Sequence, residues 1–519
     1  MKRWVAYLVL MPMMFSCNKE NQEQWPHGIN YEVFVLAFAD GNGDGKGDLK
    51  GLTSKLDYLE DLGIGGVWLM PIMPSPSYHK YDVTDYKGIH PDYGTVEDFR
   101  EFVTQAHKRK IQVIIDLILN HTGADHPWFQ QALQGIDNPY RNYYVWAKKD
   151  SIALEISKKS ISLDSDNITQ WHIANGDSLA DHYYGFFNSG MPDLNFDNPK
   201  VKDEFIDIGK FWLTEMNVDG FRLDAAKHIF PTDRATDNHA FWYWFRTEME
   251  KIKPDVYLVG EVWSPSKEVA PYLKGLPALF NFDMGYAITS VVKAGKDTIS
   301  LVRKYKEIND FYTSVTPDYI DATFLKNHDQ TRILSELKDD ERKARMAASI
   351  LFTLPGTPYV YYGEEIGMKG IQLSGPMRDH YLREPFVWDE DKKDPMQTSW
   401  VIPKYSTDKT VVPHSKQKED AHSMVHFYKN WIDYRNANNI MTLGELSTTP
   451  FQINEVVSMI RALGNEKRLV LHNISDVEVT VSLEEMEDYS DIDFSTDEVI
   501  SISEKKVRLP AYSSVVLKN

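Results

Sequence analysis

The chain has 519 residues, and its 57 Lys+Arg against 76 Asp+Glu give a formal net charge of −19. A nucleic-acid partner would need a basic stripe, and so acidic a balance excludes one. With 42 % hydrophobic and 26 % charged residues the chain can bury a large core, and its single Cys excludes both an intramolecular disulfide framework and a zinc site built on two or more cysteines.

The chain opens on Lys2 and Arg3, followed by an apolar run from Trp4 to Phe15 that Pro12 interrupts. The run is shorter than the roughly 20 residues of a membrane span and has the length of a signal-peptide core. Cys17 follows Met14-Phe15-Ser16 directly. This resembles a bacterial lipoprotein signal, which implies cleavage before Cys17 and acylation of its sulfur. Residues 1–16 are then a signal peptide, and 17–25, polar from Asn18 to Gln24, a flexible tether. The expected location is the bacterial cell envelope, on the surface or periplasmic face of the outer membrane, with the lipid anchor as the only membrane contact. A later apolar stretch, Ala347 to Tyr362, is broken by Pro355, Gly356 and Pro358.

From residue 26 strand-like and helix-like patterns alternate. Tyr31–Phe38 is a short apolar run that predicts a buried parallel strand. Leu52, Leu56, Leu59 and Leu62 recur at helical spacing, and Gly66–Met70 predicts a second strand closed by Pro71. Thr95 with Asp98 three residues on predicts a helix start, with Phe99, Phe102 and Ala106 on one face. Ile111–Leu117, Gly220–Leu223, Val256–Gly260, Thr323–Leu325 and Tyr359–Tyr361 are further strand candidates, with amphipathic stretches such as Val201–Met216 between them. The repeated strand-helix unit predicts an α/β fold, a (β/α)8 TIM barrel. We place its two parts at 26–121 and 199–441, around an aromatic, polar inserted subdomain at 122–198. From 442 to 519 the pattern turns to short alternating strands, which predicts a C-terminal antiparallel β-sandwich.

In such a barrel, polar residues at the C-terminal ends of strands read as catalytic. Four clusters stand there: Asp116 to His121, Gly220 to His228, Gly260 to Trp263, and Phe324 to Asp329. Earlier, Asp40, Asn42, Asp44 and Asp48 fall at alternate positions among glycines. With the Lys46 carbonyl they form an all-oxygen set suited to a hard cation such as Ca²⁺.

The four clusters, in their order and spacing, resemble the signature regions of the α-amylase family of glycoside hydrolases, and the resemblance extends over nearly all of the chain after residue 25. It implies Asp224 as nucleophile, Glu261 as general acid and base, and Asp329 as the carboxylate that binds sugar hydroxyls and stabilises the transition state. Glycosidic cleavage needs such carboxyls of opposite duty. Arg222 is expected to hold Asp224 ionised, while burial and nearby carboxylates keep Glu261 protonated. Substrate contacts are expected from Tyr81, His121, Arg222, Lys227, His228, Trp263, His328 and Arg332, with a structural bridge to Asp329 or a neighbour as the other reading of Arg332. Relatives carry the 40–48 loop as a Ca²⁺ site, and a second calcium is implied at Asn120, Asp193 and the His228 carbonyl. Ala225, Lys227 and Trp263 point to α-1,4 cleavage of starch or maltooligosaccharides. Met191-Pro192-Asp193-Leu194-Asn195 is similar to the motif of a group intermediate between oligo-1,6-glucosidases and neopullulanases. The expected activity is that of a retaining, endo-acting α-amylase, alongside other glucan-uptake proteins of the envelope. An α-glucosidase or oligo-1,6-glucosidase, a glucan transglycosylase and a non-catalytic glucan-binding relative stay open as alternatives. Lys80 departs from the family pattern, standing where many relatives carry Gly, and is expected to narrow the cleft beside Tyr81 or add a sugar contact.

Overall fold

The structure, a computed structural model, describes residues 26–158, 170–174, 181–375, 377–486 and 489–519. The signal peptide, the tether and Cys17 lie outside the described residues.

Eight parallel strands close into a barrel: Asn30–Val33, Gly66–Leu69, Gln112–Leu117, Gly220–Leu223, Tyr257–Gly260, Ala278–Phe280, Ile320–Phe324 and Thr357–Tyr361. The first closes the ring by pairing with the second through Asn30↔Gly66 and with the last through Asn30↔Tyr359. Strand side chains alternate between faces. Val67, Leu69, Val113 and Ile115 join the large core shared with the surrounding helices. Trp68, Ile114, Val259, Phe280, Phe324 and Tyr359 fill the barrel interior. The same parity turns Glu32, Asp116 and Arg222 inward, since their strand neighbours Tyr31, Val33, Ile115, Leu117, Phe221 and Leu223 belong to the outer core. A charged layer therefore caps an apolar one inside the barrel.

Two strand expectations need correction. The run Tyr31–Phe38 is not one strand: it ends at Val33, and Val35–Phe38 is a helical turn buried at every residue. A segment buried on all sides has no period to separate strand from helix. The sixth strand, Ala278–Phe280, was not anticipated; at three residues it is too short to show alternation. The helix at Val96–Lys108 starts as read, with a reciprocal capping box between Thr95 and Asp98. Val201–Met216 is helical over Pro199–Lys210, then widens into a π-helical turn at Phe211–Glu215.

Between the third and fourth barrel strands lies a small antiparallel sheet in which His182–Tyr184 pairs with both Trp146–Ala147 and Trp171–Ile173. The two ends of this excursion are zipped together by the bridge His121↔Asp193 and the Leu194 N–H to Asn120 carbonyl bond of 2.9 Å. That closure carries Asp193 to the barrel mouth.

At the other end of the chain a five-stranded antiparallel sheet (order Glu445–Thr448, Val456–Leu463, Glu466–Asn473, Ser514–Lys518, Asp491–Ser495) faces a three-stranded one (Val479–Ser482, Lys506–Leu509, Ser501–Ser503). Leu469, Leu471, Val515 and Leu517 pack between the sheets, while Val470 and Val516 on the opposite face join the barrel's own core. Two buried arginines complete this junction. Arg435 donates to the carbonyls of Phe352, Leu354 and Gly356, and Arg461 to those of Thr353 and Gly444, at 2.5–2.8 Å. They satisfy the carbonyls exposed where the helix Glu341–Thr353 ends.

Candidate active site

The inward layer and the loops above it assemble one charge network. Arg222 lies at its centre. Its Nη1 donates to Asp116 at 2.9 and 3.0 Å and to Asp224 Oδ1 at 2.6 Å, and its Nη2 faces Glu261 Oε2 at 2.8 Å. One guanidinium thus bridges the two residues expected to be nucleophile and acid. Asp224 and Glu261 each follow directly on a barrel strand. Ala225, next to Asp224, adopts a left-handed backbone (φ 47°) and aims its N–H at Glu261 Oε2, 3.4 Å away. A non-glycine residue there stores roughly 1–2 kcal/mol of strain, at the point where the chain must turn off the strand.

A second centre surrounds Asp329. His328 is clamped between Glu32 (Nδ1–Oε1 2.5 Å) and, through Nε2, the Tyr81 hydroxyl at 2.7 Å and Asp329 Oδ2 at 3.2 Å. Tyr81 in turn hydrogen-bonds Asp116 at 3.1 Å, and its ring stacks 5.7 Å from that of His328. Arg383 donates to Asp329 Oδ1 at 2.8 Å, to the His328 carbonyl at 3.1 Å and to Tyr78 at 3.1 Å.

Three cations, Arg222, Arg383 and His328, therefore serve five carboxylates, Glu32, Asp116, Asp224, Glu261 and Asp329. The carboxylates thus outnumber their positive partners. Burial lowers His328, but Asp329 and Glu32 outweigh it and raise the imidazole to about 10, so it is a cation at neutral pH. Burial works upward on Asp329 too, yet His328, Arg383 and Arg222 hold it far below the usual carboxylate range. Glu261 moves the other way. Burial raises it, Arg222 opposes, and the charges of Asp224 and Asp329 push it further up. Burial likewise raises Asp116, to about 7, against the pull of Arg222.

Above this network opens a cavity of about 460 Å³. Tyr81, His121, Asp224, Glu261 and Asp329 all reach it. Lys227, His228 and Trp263 line it as well. The Lys227 ammonium is 3.3 Å from Ser264 Oγ, and His228 stacks on Phe186 at 3.9 Å. Trp263 is 42 % exposed, with one face backed by Phe282 at 4.6 Å and 13°.

Three of the expected substrate contacts lie elsewhere. Arg222 and His328 are each 1 % exposed and lie beneath the cavity, where they hold the carboxylates and do not reach the opening. Arg332 is 2 % exposed, bonded to the Leu382 and Tyr362 carbonyls and set over the Tyr361 ring at 4.2 Å. Its place is the structural one, bridging neighbouring segments of the barrel wall, while Arg383 makes the bridge to Asp329. Arg383 comes from an irregular segment after the last barrel strand, where no local pattern in the sequence marks it. Phe187, Asn188, Arg378 and Asp379 also line the cavity and were not foreseen. Lys80 does not enter the cleft. Its side chain is buried against the Tyr93 ring, 4.8 Å away, and burial, partly offset by Asp92, lowers its pKa to about 8. Its left-handed backbone (φ 62°) accounts for a position that suits Gly.

In the loop 40–48 the side chains turn inward onto the backbone. Asp40 accepts from the N–H groups of Asn42, Gly43 and Gly45, Asn42 from Asp44, Asp44 from Lys46, and Asp48 from Gly41 and Gly51. The donor set is all oxygen, which suits Ca²⁺, although among the described residues no three His, Cys, Asp or Glu side chains gather as a metal-binding group. At the second expected position Asn120 meets the buried Asp193, whose carboxyl burial raises against hydrogen bonds from the Phe186 N–H and Asn120. Asn120 Oδ1 is buried there without a hydrogen-bond partner.

The alpha amylase catalytic-domain family matches residues 32–444, and the alpha-amylase SusG C-terminal domain family matches 456–516. The chain is 39 % identical to alpha-amylase 3 of Dictyoglomus thermophilum, over all of this chain and 98 % of that one. It is 35 % identical to a 4-alpha-glucanotransferase of Thermotoga neapolitana, over 89 % of this chain and 99 % of that one. A crystal structure of an alpha-amylase from H. orenii superposes with a TM-score of 0.84 at 42 % identity, over 95 % of this chain and 99 % of that one. The chain is a member of the alpha-amylase family of glycoside hydrolases.

Proposed function

We propose that the protein is an endo-acting α-1,4-glucan hydrolase that retains anomeric configuration. The observation that carries this reading is the Arg222 bridge, which holds Asp224 beside a Glu261 whose pKa burial and neighbouring charge push upward. In the first step Asp224 attacks the anomeric carbon as the Glu261 proton passes to the departing glycosidic oxygen, leaving a glycosyl ester. In the second, Glu261 takes a proton from water, and the hydroxide so formed displaces Asp224. Asp329, pinned by Arg383 and His328, binds the sugar's hydroxyls and stabilises positive charge at the anomeric centre. Bridging by a single guanidinium fits the closer carboxyl spacing, about 5–5.5 Å, that goes with retention. Timed product analysis on soluble starch tests the reading, with pullulan and isomaltose alongside. A fast viscosity fall with mixed maltooligosaccharides supports it; glucose alone, or cleavage of isomaltose, overturns it. Glu261→Gln should lower kcat by about 10²–10⁴-fold with substrate binding kept.

Transfer to a sugar acceptor is the second reading. The same ester intermediate serves it, and the Thermotoga relative is named for it. Disproportionation of maltotriose with no net reducing-end release would favour it.

Three further readings rest on the sequence. Asp40, Asn42, Asp44, the Lys46 carbonyl and Asp48 would hold Ca²⁺, which ties the loop together and takes no part in bond cleavage; Asn120, Asp193 and the His228 carbonyl would hold a second. Cys17 would carry the lipid anchor of an envelope protein, and Cys17→Ser should release the enzyme from membranes. Work alongside other glucan-uptake proteins is supported by the SusG C-terminal domain match.

A further inference from the structure

Beyond the cavity, past Trp263, which follows the acid Glu261 by two residues, stands a second exposed aromatic. Tyr286 is 43 % exposed and lies one helical turn after Phe282, the residue whose ring backs Trp263. It is not part of the cavity wall. Its hydroxyl accepts from Gln330 Nε2 at 3.0 Å and interacts with the Trp263 side chain. Gln330 follows Asp329 directly, so the ring is tied both to the loop of one site carboxylate and to the platform beside the other.

The mount is rigid. The helix Phe282–Ala294 sits so close to the seventh strand that a Cβ on Gly285 would come within 2.8 Å of the Phe324 carbonyl oxygen. Phe282 itself packs edge-on against Phe324 at 5.0 Å. A ring fixed on a helix, with its hydroxyl already oriented by an amide, gives up little freedom when a ligand lands on it.

We propose that Tyr286 is a distal leaving-side subsite that, after Trp263, takes a further glucose unit of an α-glucan and so sets the preference for long chains. The Lys326 ammonium lies 5.4 Å from the ring centroid, and the exposed surface of the Tyr286 ring offers an apolar face to the sugar's C–H groups. Its hydroxyl, as acceptor of the Gln330 amide, keeps its own proton to donate to a sugar hydroxyl. The inference rests on the glucan-hydrolase reading above and adds a specificity residue to it.

The test compares kcat/KM on maltoheptaose with that on para-nitrophenyl α-maltotrioside, whose leaving group is too short to reach Tyr286. Tyr286→Ala should lower the long-to-short ratio about fivefold to tenfold and shift early maltoheptaose products. Tyr286→Phe, which keeps the ring and loses only the hydroxyl's bond to the sugar, should lower the ratio no more than about twofold to threefold. An unchanged ratio in Tyr286→Ala, or an equal loss on both substrates, overturns the assignment. Wild-type protein that cleaves neither substrate would instead overturn the glucan-hydrolase reading.

Discussion

Replacing Arg383 with Met is the most informative single perturbation of the site. Arg383 is buried and contributes a 2.8 Å charge-assisted bond to Asp329, plus bonds to the His328 carbonyl and Tyr78. A hydrogen bond to a charged group is worth about 1.5–3 kcal/mol, and removing one member of a buried ion pair costs about 3–5 kcal/mol. The Asp329 side chain is 35 % exposed to the cleft, so solvent screens part of the loss and the lower figures apply. If about 3 kcal/mol of that loss falls on the transition state, kcat/KM drops about a hundredfold. The pH profile carries a second signature. Arg383 is among the groups that hold Asp329 below the ordinary carboxylate range. Without it the carboxyl titrates at higher pH, and the acid limb of kcat/KM moves upward. Steady-state kinetics on maltoheptaose across the acid range reads both effects. A variant within about threefold of wild type, with its acid limb unmoved, would refute the role given to Arg383.

Other expectations follow from the same geometry. His328, raised to about 10 by Asp329 and Glu32 against burial, contributes stability that is fully present below its unfolded value of about 6.5 and is lost as pH rises through about 10. Glu32→Gln should bring that alkaline decline in Tm to lower pH, and an unshifted decline would count against the clamp. Arg461→Met leaves the Thr353 and Gly444 carbonyls without their guanidinium partner; urea unfolding should show a loss of about 2–4 kcal/mol, with kcat of the folded enzyme little changed. If the 40–48 loop holds calcium, adding Ca²⁺ to chelated protein at a hundred times its Kd should raise stability by about 2.7 kcal/mol, and an unmoved Tm would argue against the site.

The reach of the sequence differed between strands and loops. Asp224, Glu261 and Asp329 were legible because each follows an apolar strand, and a closed barrel gathers the ends of its strands at one mouth. Tyr31–Phe38 and Ala278–Phe280 failed for opposite reasons, one a long run buried on all sides, the other too brief for any period. Arg332 drew attention because it lies three residues after Asp329. The true partner, Arg383, lies 54 residues away along an aperiodic segment, and only folding brings it near. Lys80 shows a different limit. Its cation was read as facing the sugar, but a left-handed backbone turns the side chain under Tyr93.

The junction between the barrel and the terminal sandwich has a consequence for how this chain can be rearranged. The helix Glu341–Thr353 belongs to the barrel in sequence, but Arg461 and the apolar face bearing Val470 and Val516 that finish its end belong to the sandwich. A truncation near residue 442 would therefore strip the barrel of part of its own interior. Recombination that grafts on an unrelated terminal module would do the same unless the graft also brings a cation to those carbonyls. On this geometry barrel and sandwich should melt together, and the barrel should not serve as a free-standing cassette.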